Sequence, residues 1–196
     1  MKLIIASNNQ HKIYEIKKIL GEKFDTIISL KEAGICHETV EDGVTFMENA
    51  VKKAREIAEI SGCPALADDS GICAHALGDR PGVYSARYAG EHGDDESNNQ
   101  LLLRELADKA DKTAHYTCAM ALAYPDGRLV TAEGYMYGSI TEHRRGTHGF
   151  GYDPLFVPDS EVRTVAEMSD EEKNAISHRG RALDLLLKKL NGEVGI

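Results

Sequence analysis

The sequence predicts an α/β protein, a mixed sheet with flanking helices, on three observations. Lys2 to Ala6 is a short apolar run that leads through Ser7 to Lys12 into an amphipathic pattern with Ile13, Ile16, Ile19 and Leu20 on one stripe, the order strand, polar loop, helix. Ala65-Leu66-Ala67 reads as a buried strand that stops at Asp68-Asp69-Ser70-Gly71, a pair of carboxylates followed by turn residues. His115 to Tyr124 and Arg128 to Tyr137 alternate on either side of Pro125-Asp126-Gly127, a long hairpin. Helices therefore cover the early strands and antiparallel strands extend the later part.

The chain's 196 residues leave room for one large domain or for two lobes sharing a cleft. Hydrophobic content of 42% and charged content of 28% fit a soluble globular protein. Apolar runs fall far short of a membrane span, and Met1 to Ala6 passes directly into polar residues rather than a signal-peptide core, so a cytoplasmic location is expected. Cys36, Cys63, Cys73 and Cys118 lie far apart with no Cys-x-x-Cys pair, which predicts small core residues in a reducing compartment and argues against a zinc site. The formal net charge of −9 argues against broad binding to nucleic acid or anionic membranes. A small polyanion would need a locally basic pocket or a bridging metal.

The start of the first helix offers polarised N–H groups that favour a phosphate, with Lys12 in its first turn; an Asn N-cap beside a solvated lysine is equally consistent. Gly21 is expected to end that helix, and Thr26 to Leu30 to form a second strand. Thr45 and Glu48 form a capping box that opens a long helix near Phe46, with Ala50, Ala54, Ile57 and Ala58 on its apolar stripe and Ser61-Gly62 at its close. Lys53 on this helix either faces solvent or reaches a phosphate, and Glu41 in the preceding loop is either solvated or a metal ligand.

Neighbouring side chains on a strand point to opposite faces, so Asp68 and Asp69 should do different jobs, one facing a cleft and one bracing the turn. Two buried carboxylates repel unless a cation or a proton intervenes, for which a hard divalent metal is the natural guest; the pair alone reads more plainly as a solvated Asx turn, and the motifs arranged around it tip the balance to the metal. Gly78 to Gly90 reads as a structured loop, and Asp94 to Ser97 opens a helix packed through Leu101, Leu102 and Leu106. Glycines flanking Phe150 would let its ring approach a flat ligand, or let it plug a tight turn. His143 and His148 have arginines between them and do not form a metal pair. Ser169 to Lys173 forms another capping box, and the last helix, buried through Ala182, Leu183, Leu186, Leu187 and Leu190, begins near His178 and Arg179.

Taken in order, Ser7-Asn8-Asn9…Lys12, Thr45-Phe46…Glu48-Asn49-Ala50…Lys53-Ala54, Ala67-Asp68-Asp69-Ser70-Gly71, Pro81 to Tyr88, Phe150-Gly151-Tyr152-Asp153-Pro154 and Ser177-His178-Arg179 resemble the inosine triphosphate pyrophosphatase family, also called XTP/dITP diphosphatases. The resemblance spans nearly the whole chain. It implies an elongated α/β fold of two lobes around a central cleft, a single domain over residues 1–196, a homodimer and use of Mg2+. By the same resemblance Ser7, Asn8, Asn9, Gln10, His11 and Lys12 bind phosphate and Lys53 neutralises it. Asp69 is metal ligand and general base, Glu41 the second metal-binding acid, and Ser70 a substrate contact. Many relatives carry two consecutive acids where this chain has Val40 before Glu41. Phe150, Gly151, Tyr152 and Asp153 form the base-stacking turn, Lys173 lies near the nucleotide, and His178 and Arg179 read the purine.

The implied reaction is Mg-dependent hydrolysis of ITP, dITP and XTP between the α- and β-phosphates, giving monophosphate and pyrophosphate and cleansing the nucleotide pool. The same phosphate machinery would serve a pyrophosphatase for other nucleotides. A nucleotide sensor without turnover would have no need of a base such as Asp69, and an RNA-binding protein fits poorly with the acidic charge.

Overall fold

In the computed structural model, which describes residues 2–20 and 24–195, the elements run β1 (Lys2–Ile5), α1 (Gln10–Leu20), β2 (Thr26–Ser29), α2 (Phe46–Ser61), β3 (Ala65–Ala74), β4 (Arg80–Pro81), α3 (Asp95–Leu106), β5 (Thr113–Ala123), β6 (Leu129–Ile140), β7 (Phe156–Pro158), α4 (Asp170–Ile176) and α5 (His178–Leu190). The strand order is β2-β1-β3-β5-β6-β7, with β4 paired to β3. β1 is parallel to β2 and to β3, in the register Leu3↔Ile27 and Ile4↔Ala65, whereas β4 and β7 pair antiparallel with β3 and β6. The sheet is therefore mixed and the fold α/β, as the pattern predicted. Gly21, expected to end α1, lies outside the described residues.

Two compact units divide the chain, with boundaries inside β3 (after Asp69), β5 (after Thr117) and β6 (after Gly134) and another after His178. In the first unit, alternation along the strands feeds two apolar layers. Leu3 and Ile5 of β1, with Cys118, Met120 and Leu122 of β5, pack against Ile13, Ile16 and Leu20 of α1 and Ala182, Leu183 and Leu186 of α5. Ile4, with Ala65, Ala67, Ala119, Ala121 and Ala123, packs against Ala50, Ala54, Ile57 and Ala58 of α2. Covering both faces explains why β5 reads as an unbroken apolar run from Cys118 to Ala123. The alanine content of the second layer lets α2 lie close to the strands. Thr45 caps α2 in a reciprocal box with Glu48, and Gly62 closes it at φ 63°; such a cap contributes about 1 kcal/mol.

In the second unit Ile72, Leu102, Leu106, Tyr116, Met136, Ile140, Phe156 and Val165 form one core beneath α3. Alternate residues of β6 there, Tyr135 and Tyr137, stay on the open face. The hairpin of β5 and β6 closes with Tyr124 N–H donating to Arg128 O at 2.9 Å and Gly127 N–H to Tyr124 O at 3.0 Å.

Two expectations are corrected. β3 does not stop at the aspartates but continues to Ala74. Ser70-Gly71 is no turn, because Gly71 supplies the space into which the Gly82–Arg87 segment packs: a Cβ there would overlap Ser85 Oγ, which accepts from Ile72 N–H at 2.9 Å. Cys73 and Cys118 are buried, but Cys36 is exposed, on a loop that offers no core to fill. No helix among the described residues is long and apolar enough to cross a membrane.

Candidate active site

On the first unit, the last two residues that β3 contributes carry buried carboxylates with different neighbours. Asp69 accepts from Asn49 Nδ2 at 3.0 Å and lies 3.8 Å from Lys53 Nζ, which in turn meets Glu41 at 2.8 Å. Burial pushes the Asp69 carboxyl above the ordinary range, partly countered by Lys53 and Lys12. Lys53 is half-buried, and its desolvation alone would lower its pKa, yet Asp69, Asp68 and Glu41 together raise it and hold the ammonium charged.

Asn49 and Lys53 project from α2 one turn apart, so they share a face. Asn49 also accepts from Gly43 N–H at 2.8 Å, which ties the loop carrying Glu41 to the helix. That loop is further fixed by Glu56, which bonds His37 at 2.8 Å and Thr39 at 2.6 Å, and by the ion pair of Asp42 with Lys52 at 2.7 Å. The local sequence thus builds a loop with many side-chain ties, and Glu41 is half-buried by them.

Asp68 faces the other way, toward Lys12 at 3.2 Å and the Arg179 guanidinium at 3.0 Å. Arg179 also meets Glu15 at 2.5 Å and is 1% exposed. Burial alone would raise the Asp68 pKa, but Lys12, Arg179 and Lys53 overcome it and hold the carboxyl well below the usual range. Asn9 caps α1: its Oδ1 accepts from His11 N–H at 3.0 Å and Lys12 N–H at 3.2 Å, while Asn9 N–H donates to Ser7 Oγ at 3.1 Å. Asn8, Gln10 and His11 are exposed around this cap, and Ser7 and Lys12 are half-buried.

The second unit holds the other predicted residues. Asp153, buried, accepts from Lys173 Nζ at 2.8 Å and Phe150 N–H at 3.0 Å. Lys173 Nζ also sits 4.6 Å from the Phe150 ring centroid. Gly149, at φ 76°, is required because a Cβ would overlap the Asp153 carboxylate. Gly151 is pinned through its N–H to Asp95 at 2.6 Å and through its carbonyl to Asn99 at 2.8 Å. Tyr152 is buried and donates to Ser85 O at 2.8 Å. His178 stacks on Tyr116 at 4.6 Å with the rings 10° apart. Ser70 is half-buried on β3.

Asp69, Glu41 and Lys53 are thus brought together, as are Lys12, Asp68 and Arg179, and separately Phe150, Asp153 and Lys173. The Arg179 guanidinium serves Asp68 and Glu15, and Tyr152 serves as an internal peg. Sequence reasoning missed Asn49, Glu15, Asp95 and Asn99. The available signal for Asn49 was a polar residue one helical turn before Lys53 within an apolar stripe; Glu15, Asp95 and Asn99 carry none, because their partners are remote in sequence.

The fold has solved counterparts. The chain is similar to the Ham1 protein of Staphylococcus aureus, with a TM-score of 0.89 and 39% identity over 99% of this chain and 100% of that one. It is also similar to a structure from Mycobacterium abscessus named nucleoside-triphosphatase / dITP/XTP pyrophosphatase, with a TM-score of 0.78 and 44% identity over 95% and 99% of the two chains. Fold and site together define an α/β protein of the Ham1 type. The chain belongs to the Ham1 family, whose model matches residues 3–189. The dITP/XTP pyrophosphatase of Clostridium perfringens is 49% identical over 97% of this chain and 98% of its own length, and that of Leuconostoc mesenteroides is 52% identical over 97% and 96%.

Proposed function

We propose that this chain hydrolyses dITP, XTP and ITP, with Mg2+, to the monophosphate and pyrophosphate, removing non-canonical purines from the nucleotide pool. Near-full-length relatives named dITP/XTP pyrophosphatase support the enzyme class, a nucleoside triphosphate pyrophosphatase, and in this reading the α-β phosphoanhydride is the bond cut. The observation that carries the reading is the convergence of Glu41 and Asp69 on the Lys53 ammonium beside a buried, hydrogen-bonded Asp69.

The donor set fits a hard divalent cation, since two carboxylates already converge on one positive charge and Mg2+ takes one or two such ligands. Glu41 and Asp69 would hold it, and when bound it supplies charge neutralisation on the phosphates and a more acidic water. Asp69 then accepts the water's proton at its carboxylate, with Asn49 fixing the carboxylate's orientation. Lys53 and Lys12 neutralise phosphate oxygens, and Ser7 to His11 contact the phosphate chain around the α1 amino terminus. Asp68, held ionised by Lys12 and Arg179, stays out of proton transfer and anchors those cations.

Phe150 supplies a ring for base stacking, backed by Lys173 and braced by Asp153. A six-oxo purine presents an acceptor where adenine presents a donor, so N–H donors from His178 and Lys173 favour the oxo form. In this reading Arg179 is a positioning residue for Asp68 and leaves purine contact to His178. Ser70 contacts substrate next to the base. The reading extends to a single domain, a homodimer and a cytoplasmic setting with no nucleic-acid or membrane partner.

Product analysis tests it: purified protein with Mg2+ is offered ITP, XTP, dITP, GTP and ATP, and pyrophosphate is assayed separately from orthophosphate. Monophosphate plus pyrophosphate from the first three is expected. Equal turnover of GTP and ATP would remove the base reading, and binding without turnover would mark a sensor.

A further inference from the structure

We propose that His75, Asp79 and His115 form a divalent transition-metal site in the second unit, of the kind that takes zinc. One ligand atom from each of the three lies within 4.8 Å of the others. His75 Nε2 and His115 Nδ1 are 2.9 Å apart. Two ligands bonded to one tetrahedral zinc lie roughly 3.4 Å apart, so a shift of about half an ångström opens the pair around an ion. Cysteine spacing argued against zinc, but these histidines are 40 residues apart and meet only because His75 follows β3 while His115 lies on β5, its neighbour in the sheet.

Two further features point to ligation. His75 Nδ1 is 2.8 Å from Thr113 Oγ1, whose hydroxyl donates to Asp111 Oδ1 at 2.6 Å. The hydroxyl proton goes to the carboxylate, so Nδ1–H donates to Thr113 and the lone pair falls on Nε2, the nitrogen that faces His115. Metal-binding histidines are oriented by such outer partners, which fix the tautomer. Asp79 is the one non-glycine residue at positive φ (63°) among the described residues, and it follows Gly78, also at 63°. Two left-handed residues in succession, with Asp79 N–H donating to Ala74 O at 3.1 Å, return the Asp79 carboxylate to the histidines.

Two imidazoles and one carboxylate suit zinc and its transition-metal neighbours better than magnesium, which prefers an all-oxygen set. His75 and Asp79 are exposed, so an ion has access and a fourth position stays open to water. The Tyr137 ring, 5.5 Å from that of His115, forms the site's apolar side. A bound ion would clamp the His75–Asp79 turn onto β5.

The test is calorimetric titration of chelator-treated protein with Zn2+, repeated with Co2+ to record its d–d absorption. Wild type should bind one equivalent more than His75→Ala and His115→Ala, and Asp69→Asn should keep that equivalent. Thr113→Val should weaken it about 10- to 100-fold. Asp79→Asn, which tolerates the left-handed turn, should weaken it at least about tenfold while circular dichroism stays unchanged. Equal stoichiometry and affinity in wild type and both histidine variants would overturn the proposal, as would a cobalt spectrum with thiolate charge-transfer bands.

Discussion

Asp68 and Asp69 are consecutive on β3, yet their carboxyl groups are displaced in opposite directions. Both are buried, so desolvation raises both. Asp68 is within ion-pair distance of Lys12 and Arg179, which reverses the effect, whereas the Lys53 ammonium 3.8 Å from Asp69 is shared with Glu41 and counters burial only in part. One strand position therefore holds a fixed charge and the next holds a group able to take up a proton. The pleat separates them, since adjacent side chains leave a strand on opposite faces.

Asp69→Asn should lower pyrophosphate release from ITP by at least about 100-fold, because a general base is removed. Its far-UV circular dichroism should match wild type. Activity within a few-fold of wild type would show that another group takes the proton.

In the metal-free protein the Asp69 carboxyl should titrate above 3.8, the ordinary aspartate value, because burial raises its pKa. Asn49 donates to the ionised form, so Asn49→Ala should move that titration to higher pH. A titration unmoved or shifted to lower pH would remove Asn49 from this role. Carboxyl NMR titration of both proteins without Mg2+ decides it.

Asp68→Asn should destabilise the protein by about 3–5 kcal/mol near neutral pH, since Arg179 and Lys12 lose a buried partner. The folded-state pKa is depressed, so the stabilisation is complete above the unfolded value of 3.8 and declines as pH falls below it. The gap between wild type and variant in urea denaturation should therefore narrow in acid. Asp69 has the opposite sign: its folded pKa is raised, so its contribution weakens as pH rises from 3.8 through the folded value.

Lys173→Met leaves the Asp153 carboxylate buried without its cation and should also cost about 3–5 kcal/mol. Adding Asp153→Asn should restore most of that stability. If Lys173 contacts the base, the KM for ITP stays raised in the double variant; a wild-type KM there would make Lys173 structural alone.

The fold was legible wherever periodicity and caps coincide. Thr45 with Glu48, Ser169 with Glu172 and Asp94 with Ser97 each open the helix they announced. The end of β3 was misread because Ser-Gly usually signals a turn, while here Gly71 yields room to Ser85, a long-range packing demand invisible to local pattern. Asp69, Glu41 and Lys53 could be named from sequence motifs, and the structure gathers them. The duties of Arg179 and Tyr152 were not legible, because Glu15 lies 164 residues from Arg179 and Ser85 lies 67 from Tyr152. The same holds for the pairing of His75 with His115.

The alanine layer between α2 and its strands sets a tolerance for the chemistry. Ala50 and Ala54 are each fully buried and directly follow Asn49 and Lys53 in the chain. One extra pair of methyls, as in Ala54→Val, has no space to occupy and would push the helix outward, with a typical overpacking cost of about 1–3 kcal/mol. Lys53 and Asn49 would retreat with it from Asp69. A residue that meets neither nucleotide nor ion thus works as a shim, and its thickness governs whether the base and its neighbours stay in reach of one another.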